Sequence, residues 1–344
     1  MLTPFVAVDV TVLDANLRAM AEHAAAAGLA LRPHAKTHKS PEIARRQLAY
    51  GAAGLTVATV SEAEVFQDAG DLFIAYPVWP SPERAARLRA LKERVRLRVG
   101  VDSAESAEAL GRAVPGLEVL VEVDSGHHRS GVAPEVAGDV AVAADKAGLT
   151  VRGVFTFPGH GYGPARQQRA AEDESAALAT AAAAVSGHGL DASVRSGGST
   201  PTAAHTGSRV LTEMRPGVYV FGDAQQLEMG TCDGDQVALT VTATVVSRSG
   251  RRFILDAGSK VLGADQQVWA TGAGRLLDFP DARIVALSEH HATVESDDVP
   301  ALGETVRVVP NHVCATVNLA DELIVVDGGT VVDRWPVSAR GANT

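Results

Sequence analysis

The chain has 344 residues and carries 31 Lys and Arg against 41 Asp and Glu, a formal net charge of −10. That balance argues against nucleic acid or an anionic membrane surface as the main partner, and the length suits one large α/β domain with a smaller companion. No apolar run approaches the roughly 18 residues of a spanning helix, the start MLTPFVAVDV lacks the basic and apolar parts of an export signal, and Cys232 and Cys314 are too few for a disulfide framework, so a cytoplasmic binder or enzyme of small molecules is expected.

The first segment, FVAVDVTVL (residues 5–13), is β-like and precedes the first helix. Two placements are open to it: pairing with the C-terminal part, or bridging the two parts. From there to about residue 222, short β-rich runs alternate with Ala-rich stretches of helical period, the pattern of a parallel sheet built from βα units. Strands are expected at 29–34, 54–58, 71–76, 94–101, 117–123, 151–157, 192–196 and 218–221. Helices are expected at 14–27, 61–69, 103–113, 134–147 and 165–185, with another beginning near Pro41. Eight strands is the number that closes a (β/α)8 TIM-type barrel. Beyond Asp223 the texture changes to alternating strands with hairpin turns, as in QVALTVTATVVSRSGRRFILDAG and DELIVVDGGTVVDRWPV. The expected organisation is therefore a barrel over 1–222 followed by a mostly β domain over 223–344.

Chemistry-bearing residues gather where strands give way to loops. In LRPHAKTHK (31–39), an extended reading puts Arg32, His34 and Lys36 on one face, and Lys36 falls at the C-terminal end of its strand, where barrel enzymes place their active residues. An amine there suits Schiff-base chemistry as nucleophile and base. FPGHGYG (157–163) ends another strand, with glycines that let His160 and Tyr162 turn inward, and the imidazole suits general-base work. RSGGSTPT (195–202) follows a strand and opens a helix, so the backbone and hydroxyls of Ser196, Gly197, Gly198, Ser199 and Thr200 offer a phosphate seat. MRPGVYVFG (214–222) adds a second lobe, in which Gly217 admits close backbone approach beside Val218 and Tyr219. In PNHVCATVNL (310–319), an extended reading places His312 and Cys314 on one face. Imidazole plus thiolate favours Zn2+ over a hard ion such as Mg2+, and two protein ligands leave coordination positions open, as catalytic sites do.

In order and across essentially the whole chain, RPHAKTHK, VEVDSGHHRSGV, FPGHGYG, SGGSTPTA, RPGVYVFGD, LDAGSK and PNHVCATVNL resemble the D-threonine aldolase and D-serine dehydratase family, part of the alanine-racemase-like group of pyridoxal 5′-phosphate enzymes. The resemblance implies that Lys36 binds the cofactor covalently, with Lys39 an auxiliary cation. It places Arg129 near that lysine and the cofactor's phenolic oxygen, Tyr219 at the phosphate or the ring, and Arg215 toward the ring nitrogen. The dehydratase branch resembles His-x-Cys with zinc, whereas the aldolases tend to have His-x-Asp and a harder divalent ion; this chain has the cysteine. SEHHATV (288–294) departs from a stretch that usually reads Ser-Glu-Glu-His-Gly, with His291 in place and His290 and Ala292 substituted.

The reaction so implied is loss of the β-hydroxyl from a D-amino acid such as D-serine or D-threonine, giving a 2-oxo acid and ammonia. Lys36 takes the Cα proton, and His312 and Cys314 hold a Zn2+, or another divalent ion, at the hydroxyl. The competing reading is retro-aldol cleavage to glycine and an aldehyde, with His160 as base. A racemase and a non-catalytic pyridoxal phosphate carrier are more remote. A homodimer is the family expectation.

Overall fold

A computed structural model describes all 344 residues. In chain order, β1 (Phe5–Asp9) runs straight into α1 (Val10–Ala26). Next come β2 (Ala30–Leu31), α2 (Pro41–Ala49), β3 (Leu55–Val57), α3 (Val60–Val65), β4 (Asp71–Pro77), α4 (Pro82–Lys92) and β5 (Arg96–Val101). They are followed by α5 (Ala104–Ala113), β6 (Glu118–Glu122), α6 (Ala137–Lys146), β7 (Thr150–Phe155), α7 (Gln167–Gly187), β8 (Val194–Gly197) and β9 (Glu213–Met214). The chain folds into two compact units, one of Ala19–Lys36, Ile43–Gly217 and Ala342–Thr344, the other of Met1–Arg18, Thr37–Glu42 and Val218–Gly341.

The larger unit is built on an eight-stranded parallel sheet in the order β2-β9-β8-β7-β6-β5-β4-β3. Its two ends meet through a parallel bridge between His34 and Thr56, so the sheet curls back on itself as a TIM-type barrel sheet. Local chemistry starts its helices. Thr59, Ser81 and Ser103 each turn a side-chain oxygen to a backbone N–H in the first turn of α3, α4 and α5. Phe73 and Phe155 meet edge to face at 4.9 Å, packed with Leu120 in the barrel interior.

Two expectations from the sequence fail here. The eighth barrel strand is Glu213–Met214, and Val218–Val220 is a 3-10 turn whose Val218 carbonyl accepts from Phe221 and Gly222. The apolar run Val218–Phe221 is buried, but the preceding Pro216-Gly217 pair turns the chain out of the sheet. The face of cations expected at residues 32–36 also does not form. Arg32 lies inside the barrel, 2.8 Å from Asp71 and 2.9 Å from Glu213, because β2 ends at Leu31 and alternation stops there. Arg98 joins the same network, 2.9 Å from Asp71 and 3.6 Å from Glu213, so these buried cations are compensated by carboxylates.

The smaller unit is a mostly β structure. It comprises α8 (Ala224–Met229), β10 (Leu239–Ser249), β11 (Arg252–Leu255), α9 (Ser259–Leu262), β12 (Gly274–Leu276), β13 (Arg283–Leu287), β14 (Ala292–Glu295), β15 (Thr305–Pro310), α10 (Val313–Leu319), β16 (Glu322–Asp327) and β17 (Thr330–Pro336). The main sheet path is β13-β14-β11-β10-β1-β16-β17, with β15 on β10 and β12 on β15. The N-terminal β1 therefore takes a central place, antiparallel to β10 (Phe5 opposite Thr242) and parallel to β16 (Ala7 opposite Ile324). No helix is long and apolar enough to cross a membrane.

Candidate active site

In the larger unit, Lys36 sits in the 3-10 turn Ala35–Thr37 that follows the short strand β2. Its backbone N–H points to His34 Nδ1 at 3.4 Å, and its Nζ lies 5.8 Å from the centre of the Phe157 ring. The guanidinium carbon of Arg129 lies 5.2 Å from the same ring, so an amine and a guanidinium share one aromatic surface, a weakly cation-attracting platform. Tyr162 packs against Phe157 at 5.9 Å, and His127 meets it edge-on at 5.4 Å. Burial, with Arg129 and His160 nearby, lowers the His127 imidazole from its ordinary value. His128 instead is exposed and lies 2.6 Å from Asp124. Lys36, Arg129 and Tyr162 thus lie around one ring, Phe157, which sequence reading did not single out.

His160 follows β7 in a short 3-10 turn, Gly159–Gly161. Its Nε2 is 3.5 Å from Asp173 Oδ2 and neither ring nitrogen makes a hydrogen bond. A Cβ at Gly159 would lie 2.6 Å from the His127 ring, so a larger residue there would displace that ring.

The glycine loop after β8 is more committed than its sequence suggests. The Ser196 hydroxyl is turned into the barrel, 2.6 Å from Glu213 and bonded to Arg215, so it is not turned to a ligand outside the sheet. Gly198, at φ +76°, donates its N–H to Glu174 of α7 at 2.6 Å. Ser199 donates its own N–H to Thr202 Oγ1 at 3.0 Å, and the Ser199 and Thr202 hydroxyls are 3.0 Å apart. Thr200 is buried with them. The loop is preshaped by α7 and by its own hydroxyls, with two of its amides already used.

Arg215 is buried, with its amino groups on Ser196 Oγ and the Thr156 carbonyl and its guanidinium over Phe73 and Phe155. Burial pulls it down to about 10 against the opposing pull of Glu213, Glu174 and Glu122. Those bonds tie the ends of β7 and β8 together. Gly217 is the last residue of this unit before the chain enters the smaller one.

The smaller unit holds Val218, Tyr219, His312 and Cys314. Val218 and Tyr219 are buried in their 3-10 turn. His312 and Cys314 are not on a strand. β15 stops at Pro310, His312 caps α10, and Cys314 lies in its first turn. They still face each other: Cys314 first, with the Asp223 carboxylate, raises the His312 imidazole well above its ordinary value, against the effect of burial. The Cys314 thiol contacts the Thr37 hydroxyl at 3.4 Å. Sequence reading missed Asp223, a fully buried carboxylate that caps α8 through Gln226 N–H (2.9 Å), receives Val313 N–H (3.3 Å) and lies 3.5 Å from His312 Nδ1. An acid held on one ring nitrogen leaves the other for a metal, the usual outer partner of a metal-binding histidine. No three His, Cys, Asp or Glu side chains gather as a metal cluster. A metal held by His312 and Cys314 alone would keep positions for water or substrate. Lys39 donates to the Ala339 carbonyl at 3.2 Å within this unit, and His290 and His291 lie exposed in the β13–β14 turn.

Comparison with known proteins places these features in a family. Residues 8–225 match the alanine racemase N-terminal domain and residues 238–326 a putative serine dehydratase domain. A D-threonine aldolase of Arthrobacter sp. is 36% identical over 98% of this chain and 93% of its own. The chain belongs to the D-threonine aldolase and D-serine dehydratase-like family. A D-threo-3-hydroxyaspartate dehydratase of Delftia sp. is 35% identical over 91% of each chain. The crystal structure of D-threonine aldolase from Filomicrobium marinum superposes with a TM-score of 0.90 at 34% identity, over 98% of this chain and 95% of that one. The chain is accordingly a pyridoxal phosphate-dependent lyase with an alanine-racemase-like fold. Its residues fit that cofactor: a primary amine and a guanidinium on one aromatic ring, and a glycine loop too tight for side chains at its turn.

Proposed function

We propose that this family member is a dehydratase of D-β-hydroxy amino acids, releasing ammonia and a 2-oxo acid, with Zn2+ as its metal. The observation that carries the reading is the thiol of Cys314 beside His312, a donor pair that selects a soft ion. A cysteine-to-alanine mutant of D-threo-3-hydroxyaspartate dehydratase has been solved in its metal-free form, which fits use of a metal by that relative and, by similarity, by this chain. Pyridoxal phosphate, once bound, supplies the electron sink that acidifies the substrate Cα–H.

The chain's own groups do the rest. Lys36 would hold the cofactor through Nζ, and the same amine is the group that would take the substrate Cα proton. Arg129, over Phe157 like Lys36, supplies a fixed cation for the phenolic oxygen or the substrate carboxylate. Ser199, Thr200, Gly217 and Tyr219 remain assigned to the phosphate and ring. His312, steadied by Asp223, and Cys314 hold the metal, which supplies Lewis acidity toward an oxygen leaving group.

One observation favours retro-aldol cleavage as a second reading: His160, beside Asp173, is a buried imidazole with no hydrogen bond on either ring nitrogen, the kind of base that would take a β-hydroxyl proton. D-threonine separates the two, since one substrate follows either route. Mass-spectrometric detection of 2-oxobutanoate and ammonia supports the dehydratase; glycine and acetaldehyde overturn it in favour of the aldolase.

A further inference from the structure

Glu174 has no part in the chemistry above, yet it is fully buried in the middle of α7, a place where a carboxylate needs a reason. Its Oε1 accepts the Gly198 N–H at 2.6 Å, and its Oε2 is buried with no hydrogen-bond partner. The contact is built into the loop: a Cβ at Gly197 would lie 2.4 Å from Oε1, so the glycine exists where this carboxyl approaches the backbone. Arg215 is the charge that acts on Glu174 from the sheet side; His160, on the neighbouring 3-10 turn, faces Asp173 instead.

Resting on the reading of this loop as the phosphate seat, we propose that Glu174 is a positioning residue that works as a neutral acid, holding the glycine loop through Gly198 and taking up a proton from solvent when a phosphate dianion binds. The orphaned Oε2 is the atom that carries the proton. A neutral carboxyl keeps its carbonyl acceptor for Gly198 while removing a negative charge that would repel the ligand. Burial already pushes the group up to about 7, against the pull of the Gly198 N–H and Arg215, so the proton is available near neutral pH. A nearby dianion raises it further, and binding then weakens as pH rises above 7, by at most about tenfold per unit for one coupled proton.

The test uses the full chain stripped of cofactor and pyridoxamine 5′-phosphate as probe, which needs no covalent bond to Lys36. Affinity is measured by calorimetry from pH 6 to pH 9 for the wild type and E174Q, with pyridoxamine as the phosphate-free control. The wild type should lose affinity above pH 7 while E174Q, which keeps the acceptor without the charge, binds several-fold tighter than the wild type at pH 8 and equally at pH 6. Other groups that titrate are common to both proteins and cancel in the comparison. Parallel profiles with tight, phosphate-dependent binding overturn the role of Glu174 and leave the phosphate seat standing. Equal binding of probe and control overturns the seat itself, and the proposal with it. Should E174Q fail to fold, infrared difference spectra of the wild type at pH 8 decide: the probe must induce a carboxylic-acid C=O band, and its absence overturns the proposal.

Discussion

Replacing Asp223 by alanine perturbs a carboxylate that serves three groups at once. Its loss removes the side-chain cap of α8, worth about 1 kcal/mol, and leaves the buried Val313 N–H at the start of α10 without its acceptor, worth about 1–3 kcal/mol. Together these predict a destabilisation of about 2–4 kcal/mol. The third group, His312, loses the acid that orients its ring, so zinc affinity should fall about 10–100-fold. Urea unfolding of the metal-free protein measures the first effect, and titration with zinc against a chromogenic chelator the second. D223N, which keeps one acceptor oxygen where the carboxylate offers Oδ1 to Gln226 N–H and Oδ2 to Val313 N–H, should recover only part of the stability and part of the zinc affinity. An alanine variant with the wild-type unfolding midpoint and undiminished zinc binding would refute the reasoning.

Cys314→Ala should abolish zinc binding and turnover while leaving the cofactor's visible absorbance intact; full activity would dispose of the thiolate ligand. Lys36→Ala should lose the borohydride-reducible lysine adduct, and survival of that adduct in peptide mapping would point to another lysine. Phe155→Ala removes a ring packed against Phe73 and under Arg215, and should cost about 3–5 kcal/mol by chemical denaturation. For Glu213, burial raises the carboxyl but Arg32 and Arg98 outweigh it, so its folded value lies below the ordinary one. Its ionised form therefore stabilises the fold above the ordinary carboxylate value, and that contribution is lost as pH falls through the lower folded value. E213Q should be less stable at neutral pH and show a shallower loss toward acid, which thermal melts from pH 7 to pH 3 would reveal.

Elements whose local rules agree with the fold were legible. The strand expected at 71–76 is β4, Asp71–Pro77, and the helix expected at 103–113 is α5, because Ser103 both caps the helix and ends the apolar run. Where two signals conflict, the tertiary structure decides. Val218–Phe221 has strand composition but follows Pro-Gly, and the barrel closes instead on Glu213–Met214, whose carboxylate reads as a surface residue until Arg32 and Arg98 are brought to it. His312 and Cys314 were found by residue type and order; the strand expected for them fails because Pro310 ends β15 and a cap begins α10. Asp223 shows in the sequence only as a helix cap; what it does for His312, like what Phe157 does for Lys36 and Arg129 and Glu174 for Gly198, runs through residues distant in the chain.

The central position of β1 bears on how the chain reaches its fold. The two edges that β1 joins belong to β10 and β16, and β16 begins only at Glu322. On a ribosome, residues 5–9 therefore wait until residues 324–326 have been made before their parallel partner exists, a pairing of high sequence separation that is slow to form. A chain begun after these residues would present β10 and β16 as unpaired edges, open to a strand from any neighbouring chain. A separate peptide spanning the missing segment should then restore the sheet, as donor strands do in trans.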